Sequence, residues 1–127
     1  MFGRNKTISA NASAVVTGAG SGIGRAFAEE LARRNGAVVC ADINLGTAQE
    51  TADRIVSTGG RAWAVQCDVS VQAEVEALAE QADALLPEPV NLVINNAGVG
   101  VGGKPVGETS MDDWHWTMGI NLWGVIH

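Results

Sequence analysis

The 127-residue sequence has no tyrosine, two phenylalanines and four tryptophans. A phenol acting as acid, base or nucleophile is therefore excluded from these residues. Cysteine is scarce as well. Cys40 and Cys67 stand alone, without the paired spacing of a zinc site and too few for a disulfide framework. His115 and His127 lie far from both in the chain, so the sequence offers no metal site. Eight basic residues face fourteen acidic ones, for a net charge of −6. That balance, with no basic stripe, argues against nucleic acid and anionic membrane surfaces as partners. No apolar run approaches the ~20 residues that cross a bilayer. The opening Met1-Phe2-Gly3-Arg4-Asn5-Lys6 lacks the apolar core of a signal peptide. These absences describe a cytosolic protein whose thiols are reduced and buried as small apolar groups. In that setting the sequon Asn11-Ala12-Ser13 has no use.

What the chain does contain is apolar residues, 46% of the total against 17% charged. That composition belongs to a globular chain, and the length suits one domain. Sixteen glycines exceed the usual share, and they gather at 18–24 and 98–107. Such clusters point to loops that face a ligand.

The first cluster organises the rest. Ala14-Val15-Val16 is a short β-prone run, and Thr17-Gly18-Ala19-Gly20-Ser21-Gly22-Ile23-Gly24 follows it. A helical stretch begins at once with Arg25-Ala26-Phe27-Ala28. Strand, glycine turn and helix together cradle a phosphate. Glycine lets the backbone turn sharply and approach a ligand, and the helix start offers unpaired N–H groups and a partial positive charge. The spacing is not the common G-x-G-x-x-G, because Ile23 stands where its last glycine would be. It is T-G-x-x-x-G-x-G, which resembles the short-chain dehydrogenase/reductase family. Further signals of that family run as far as Asn121, but they match only the first half of a typical member.

Along the chain, residues 1–12 read as a polar lead-in and 13–17 as the first strand. The first helix is expected over 22–34, with Ile23, Phe27 and Leu31 on its inward face and Arg33 and Arg34 at its C-terminal dipole. The unbroken apolar run 37–41 suits a strand buried on both faces of a parallel sheet. Asp42 follows, 18 residues after Gly24. In a dinucleotide-binding βαβ unit an acid there accepts hydrogen bonds from the adenosine ribose. Its charge repels a 2′-phosphate, so it favours NAD over NADP. Asn44 caps a second helix over 45–57, with Ala48, Ala52 and Ile55 inward. A third strand spans 61–67. Ser70 is read as the cap of a third helix over 71–86, on which Val71, Val75, Leu78, Ala82 and Leu85 form the apolar stripe. Glu74, Glu76, Glu80 and Asp83 form its solvated side. Pro87 and Pro89 end that helix, and a fourth strand covers 90–94. After a glycine-rich loop over 99–107, Thr109 or Ser110 caps the last helix. It carries one apolar stripe at Trp114, Met118, Leu122 and Val125 and another at Trp116, Ile120 and Trp123. One stripe is expected on the sheet. The other faces either a partner subunit or further chain.

The resemblance implies more. It makes Asp68 the partner of the adenine amino group and Val69 a flank of the ring. Asn95-Asn96-Ala97-Gly98 resembles a family hallmark in which Asn95, Ala97 and Gly98 line the cofactor ribose and Asn96 ties the sheet together. With Gly18, Ser21, Gly22, Ile23, Gly24 and Asp42, these residues would form the NAD site. Asn121 resembles the catalytic Asn, whose carbonyl holds a water in a proton relay. The family's Ser and Tyr-x-x-x-Lys have no counterpart here, and Lys104 has no Tyr partner. The implied fold is α/β, a Rossmann-type doubly wound parallel sheet between two helical layers. Its strand order would be 3-2-1-4, cut after the helix that follows strand 4. The implied function is NAD-linked hydride transfer to or from an alcohol or ketone, in a homo-oligomer built through the last helix. A non-catalytic nucleotide module and a partner subunit of a larger assembly remain alternatives.

Overall fold

A computed structural model describes residues 7–127. Four parallel strands form one sheet: β1 (Ser13–Thr17), β2 (Ala37–Asp42), β3 (Arg61–Gln66) and β4 (Leu92–Ile94). Their order is β3-β2-β1-β4, as the resemblance implies. The register places Val15 beside Val39 and Val93. Because side chains alternate across a strand, β1 and β2 supply two cores. Ala14, Val16, Val38 and Cys40 face helices α1 (Gly22–Arg33) and α2 (Leu45–Ser57) through Ala28, Leu31, Ala52 and Ile55. Val15, Val39 and Ala41 face α3 (Gln72–Leu85) through Leu78 and Ala82. The result is the three-layer Rossmann-type architecture.

Several local expectations hold for identifiable reasons. The β1 and α2 bounds coincide with the sequence reading. Asn44 accepts the Thr47 N–H at 3.2 Å and so starts α2 where expected. Ser110, rather than Thr109, caps α4 (Met111–Met118) by accepting the Asp113 N–H at 3.1 Å.

Others are corrected. α1 turns Gly24, Ala28 and Leu31 inward, whereas Ile23 and Phe27 are exposed. Small residues allow the helix to lie close to the sheet, so bulk does not identify the buried face here. Arg33 and Arg34 both hold Glu30, at 2.7 and 2.6 Å, and these contacts keep its carboxyl down at about 2. Ser70 does not cap α3. Its hydroxyl donates instead to Asp68 Oδ1 at 2.6 Å, and Val71 occupies the cap position. Glu74 is not simply a solvated charge, since it accepts the Asp68 N–H at 2.7 Å. β4 is shorter than the apolar run suggests. At its start Asn91 grips Ser13 by both polar groups, its backbone N–H donating to the Ser13 carbonyl and its side-chain oxygen accepting the Ser13 N–H, each at 2.9 Å.

The last helix differs most. α4 passes into a π segment (Gly119–Trp123) and then into α5 (Gly124–Ile126). Neither apolar stripe packs as a whole. Of the second, Ile120 packs against the α3-side core while Trp123 stays exposed, and Gly124 leaves no room for a Cβ beside Val69. Met118, Leu122, Trp123 and Val125 stay exposed. The expected lead-in falls outside the described residues at 1–6. Its remainder is a turn fastened to the end of α1 by the Asn11 N–H on the Arg34 carbonyl at 3.0 Å.

Candidate functional site

The carboxyl ends of the strands open onto a cleft of about 500 Å³. The order of strands reverses beside β1, and in open α/β sheets this is where ligands bind. The turn after β1 forms the floor. Gly18 has φ +64°, and a Cβ there would come within 2.9 Å of Ala97 Cα and Asn96 Nδ2. This glycine lets the two strand ends approach each other. The junction is then sewn together by hydrogen bonds. Asn96 Nδ2 donates to the Thr17 and Gly18 carbonyls at 3.1 and 3.3 Å. Thr17 Oγ1 accepts the Asn96 and Ala97 N–H groups at 3.2 and 3.1 Å. Thr17 is the member of this junction that the sequence reading left without a role.

Gly22 has φ +54° with nothing within 4 Å of an added Cβ, so the turn leaves open space on its cleft side. Gly24 is the opposite case. A Cβ there would run into the Gly18 carbonyl, and the residue does not line the cleft. α1 begins with Ser21 as its cap residue, but no side chain caps it and no acid occupies its first turn. Its first N–H groups are therefore available to an anion.

Asp42 stands at the end of β2. Its Oδ2 accepts the Gly20 N–H at 2.9 Å, and its Oδ1 accepts the Asn44 N–H at 3.0 Å. Two backbone donors fix the carboxylate in place and leave its remaining lone pairs for a diol. Across the cleft, Asp68 Oδ1 is held by the Ser70 N–H at 2.9 Å, and Val69 forms the adjoining wall. Cys67 also lines the cleft but is almost wholly buried, its thiol pushed up to about 11 by burial and by Glu74 and Asp68 nearby.

Of the expected residues, Gly18, Ser21, Gly22, Ile23, Asp42, Asp68, Val69, Ala97 and Gly98 line this one cleft. Asn95 does not line it. Asn121 does not line it either; its side chain accepts the N–H of cleft-lining Val99 at 2.8 Å and donates to the Val99 carbonyl at 2.7 Å. The reading gave no place at the cofactor to Ile43, Cys67, Asn96, Val99, Trp116 and Ile120, which also line the cleft. Trp116 and Ile120 lie four apart, so helical spacing flagged them as a stripe without saying what the stripe faces. Lys104 pairs with Asp113 at 3.7 Å. A second hollow, about 610 Å³ between α1 and α2, contains none of these residues.

Fold and cleft define a Rossmann-type α/β unit with an opening at the carboxyl ends of its strands. The profile of the family described as short chain dehydrogenase matches residues 12–127. The chain belongs to the short-chain dehydrogenase/reductase family. It is 38% identical over 114 residues to 7alpha-hydroxysteroid dehydrogenase of Escherichia coli K12, covering 90% of this chain and 44% of that protein. It is 40% identical over 112 residues to a probable oxidoreductase, EphD, of Mycobacterium tuberculosis, covering 88% of this chain and 19% of that one. A solved short-chain dehydrogenase/reductase from Burkholderia phymatum, in complex with NAD, superposes with a TM-score of 0.88 at 43% identity, covering 95% of this chain and 42% of that one. The chain thus spans less than half the length of these relatives.

Proposed function

We propose that the chain is the cofactor-binding half of an NAD-dependent oxidoreductase acting on a small-molecule alcohol or ketone. The observation that carries this reading is the Asp42 carboxylate, fixed by two backbone N–H groups beside a glycine turn with an uncapped helix start. The open space over Gly22 and the close-packed Gly18 are what a pyrophosphate lying on the main chain requires. In this reading the N–H groups at the start of α1 hold the pyrophosphate. Asp42 accepts the ribose hydroxyls, Asp68 and Val69 take the adenine, and Ala97 and Gly98 border the second ribose. Gly24 acts by packing. Once bound, NAD supplies the hydride acceptor at its nicotinamide ring.

Asn121 is proposed as the catalytic Asn. The π segment around it supports this, because i→i+5 turns are rare and recur at functional sites. In this reading the proton donor is the family's Tyr, which has no counterpart among these residues. The exposed Leu122, Trp123, Val125 and Ile126 support association of the whole protein through this helix. A cytosolic location completes the reading.

Calorimetric titration of the full-length gene product with NAD and with NADP tests it. NAD should bind more tightly. Asp42→Ala should narrow the gap by about 1.5–3 kcal/mol, the worth of a hydrogen bond to a charged group. Equal affinities in the wild type would overturn the cofactor assignment.

A further inference from the structure

The glycine turn is held from behind by two side chains outside the motif. In a trans peptide the carbonyl and the N–H of one unit point in opposite directions. Whatever grips the carbonyl therefore aims the N–H. The Ala19 carbonyl accepts Thr51 Oγ1–H at 2.8 Å. The N–H of that same peptide, belonging to Gly20, meets Asp42 Oδ2 at 2.9 Å. The next carbonyl, of Gly20, accepts an N–H of the Arg25 guanidinium. The N–H of that peptide belongs to Ser21, a cleft-lining residue, and has no partner among the described residues.

The two grips are joined to each other. Arg25 Nε–H donates to Thr51 Oγ1 at 2.9 Å, and Arg25 also reaches Glu50 Oε2 at 3.3 Å. Thr51 is fully buried. Its hydroxyl gives one hydrogen bond, with the Thr47 carbonyl at 3.2 Å as the alternative acceptor, and receives another from Arg25. Neither residue lines the cleft, so neither touches a ligand there.

We propose that Arg25 and Thr51 are positioning residues for the phosphate turn. Thr51 anchors the first peptide to the ribose-binding carboxylate, and Arg25 turns the Ser21 N–H outward to a pyrophosphate. The inference rests on the NAD reading above. A glycine-rich turn left to itself samples many conformations. Fixing two successive peptide planes during folding removes that ordering cost from ligand binding.

The test compares NAD, ADP and adenosine binding to the full-length gene product, by calorimetry for the first two and by NMR titration for adenosine. Adenosine has no phosphate and reads only the adenine and ribose end. In the variants Asp42 is still held by the Asn44 N–H. Arg25→Leu and Thr51→Val should weaken NAD and ADP about tenfold, roughly the worth of one hydrogen bond. Adenosine affinity should stay within about twofold, and Thr51→Ser should restore NAD affinity. Thr51→Val strips a buried carbonyl of its donor. If it fails to fold, the partly exposed Arg25→Leu decides alone. Parallel loss of NAD and adenosine, or unchanged NAD binding in Arg25→Leu, would overturn the inference and leave the NAD reading standing. A folded wild type that binds neither NAD nor ADP would remove that reading, and this inference with it.

Discussion

Gly22 and Gly24 look alike in the sequence and do opposite things. An added side chain at Gly22 meets no protein atom, so only a ligand would meet it. Its φ of +54° is strained for most side chains, but Asn tolerates that region. Gly22→Asn should therefore lower NAD affinity about tenfold or more, ~1.4 kcal/mol, and change the folding free energy by about 1 kcal/mol or less. Calorimetry and thermal denaturation read the two effects separately, and unchanged affinity would mean that this turn is not the phosphate site. Gly24→Ala should do the reverse. The added methyl meets the Gly18 carbonyl, and overpacking of that kind costs about 1–3 kcal/mol of stability, measurable by urea denaturation. The thiols give a pH effect. Burial, with Glu29 nearby, pushes Cys40 up to about 12, and Cys67 stands at about 11, against 9.0 for a free thiol. Above pH 9 the unfolded chain loses these protons while the folded chain keeps them, so stability should fall as pH rises from about 9 toward 11–12. At pH 8 an aromatic disulfide reagent should titrate neither thiol until denaturant is added. Prompt reaction of either in the native state would contradict this environment.

Elements whose ends are fixed locally were legible in the sequence. β1 is bounded by Asn11-Ala12 and the glycine turn, and α2 by the Asn44 cap and Thr58-Gly59. The cleft was legible for the same reason, because glycine spacing and an acid after β2 are short-range signals. Features that depend on packing between distant segments were not. The inward side of α1 follows from how near the helix lies to the sheet, which Gly24 and Ala28 permit and no periodicity of large residues reveals. β4 starts beside an Asn91 whose side chain, not a backbone carbonyl, takes the Ser13 N–H, 78 positions earlier in the chain. Trp116 and Ile120 reach the cleft because the last helix is anchored by Gly124 against Val69, and nothing local announces that contact. The Asn121 side chain adds a second long-range tie by closing on both polar groups of Val99. Asn121→Ala should release the Val99 N–H, raising its hydrogen-exchange rate in NMR. Global stability should fall by about 0.5–1.5 kcal/mol per exposed bond at most. If Val99 stays protected in the variant, that tie does not order the cleft rim.

The molecule as a whole ends its sheet at β4, whose far side has no partner strand among the described residues. Leu92-Val93-Ile94 offers neither a Lys nor a Pro to guard that edge, and Val93 is 52% exposed. Farther along the chain, Leu122, Trp123, Val125 and Ile126 leave much of the last helix uncovered. An unguarded edge and an apolar helix face are both surfaces that drive association. Residues 1–127 produced alone should therefore self-associate. Light scattering at rising concentration should report a mass well above that of one chain. The same preparation should show no NAD-linked alcohol oxidation at the reduced-nicotinamide absorbance band, because no Tyr is present to move the proton. The two readouts are separable. A concentration-independent monomer would show that neither the β4 edge nor this helix face drives association. A monomer that also oxidises an alcohol would require a proton-transfer group among these residues, and His115, His127 and Lys104 would be the first to replace.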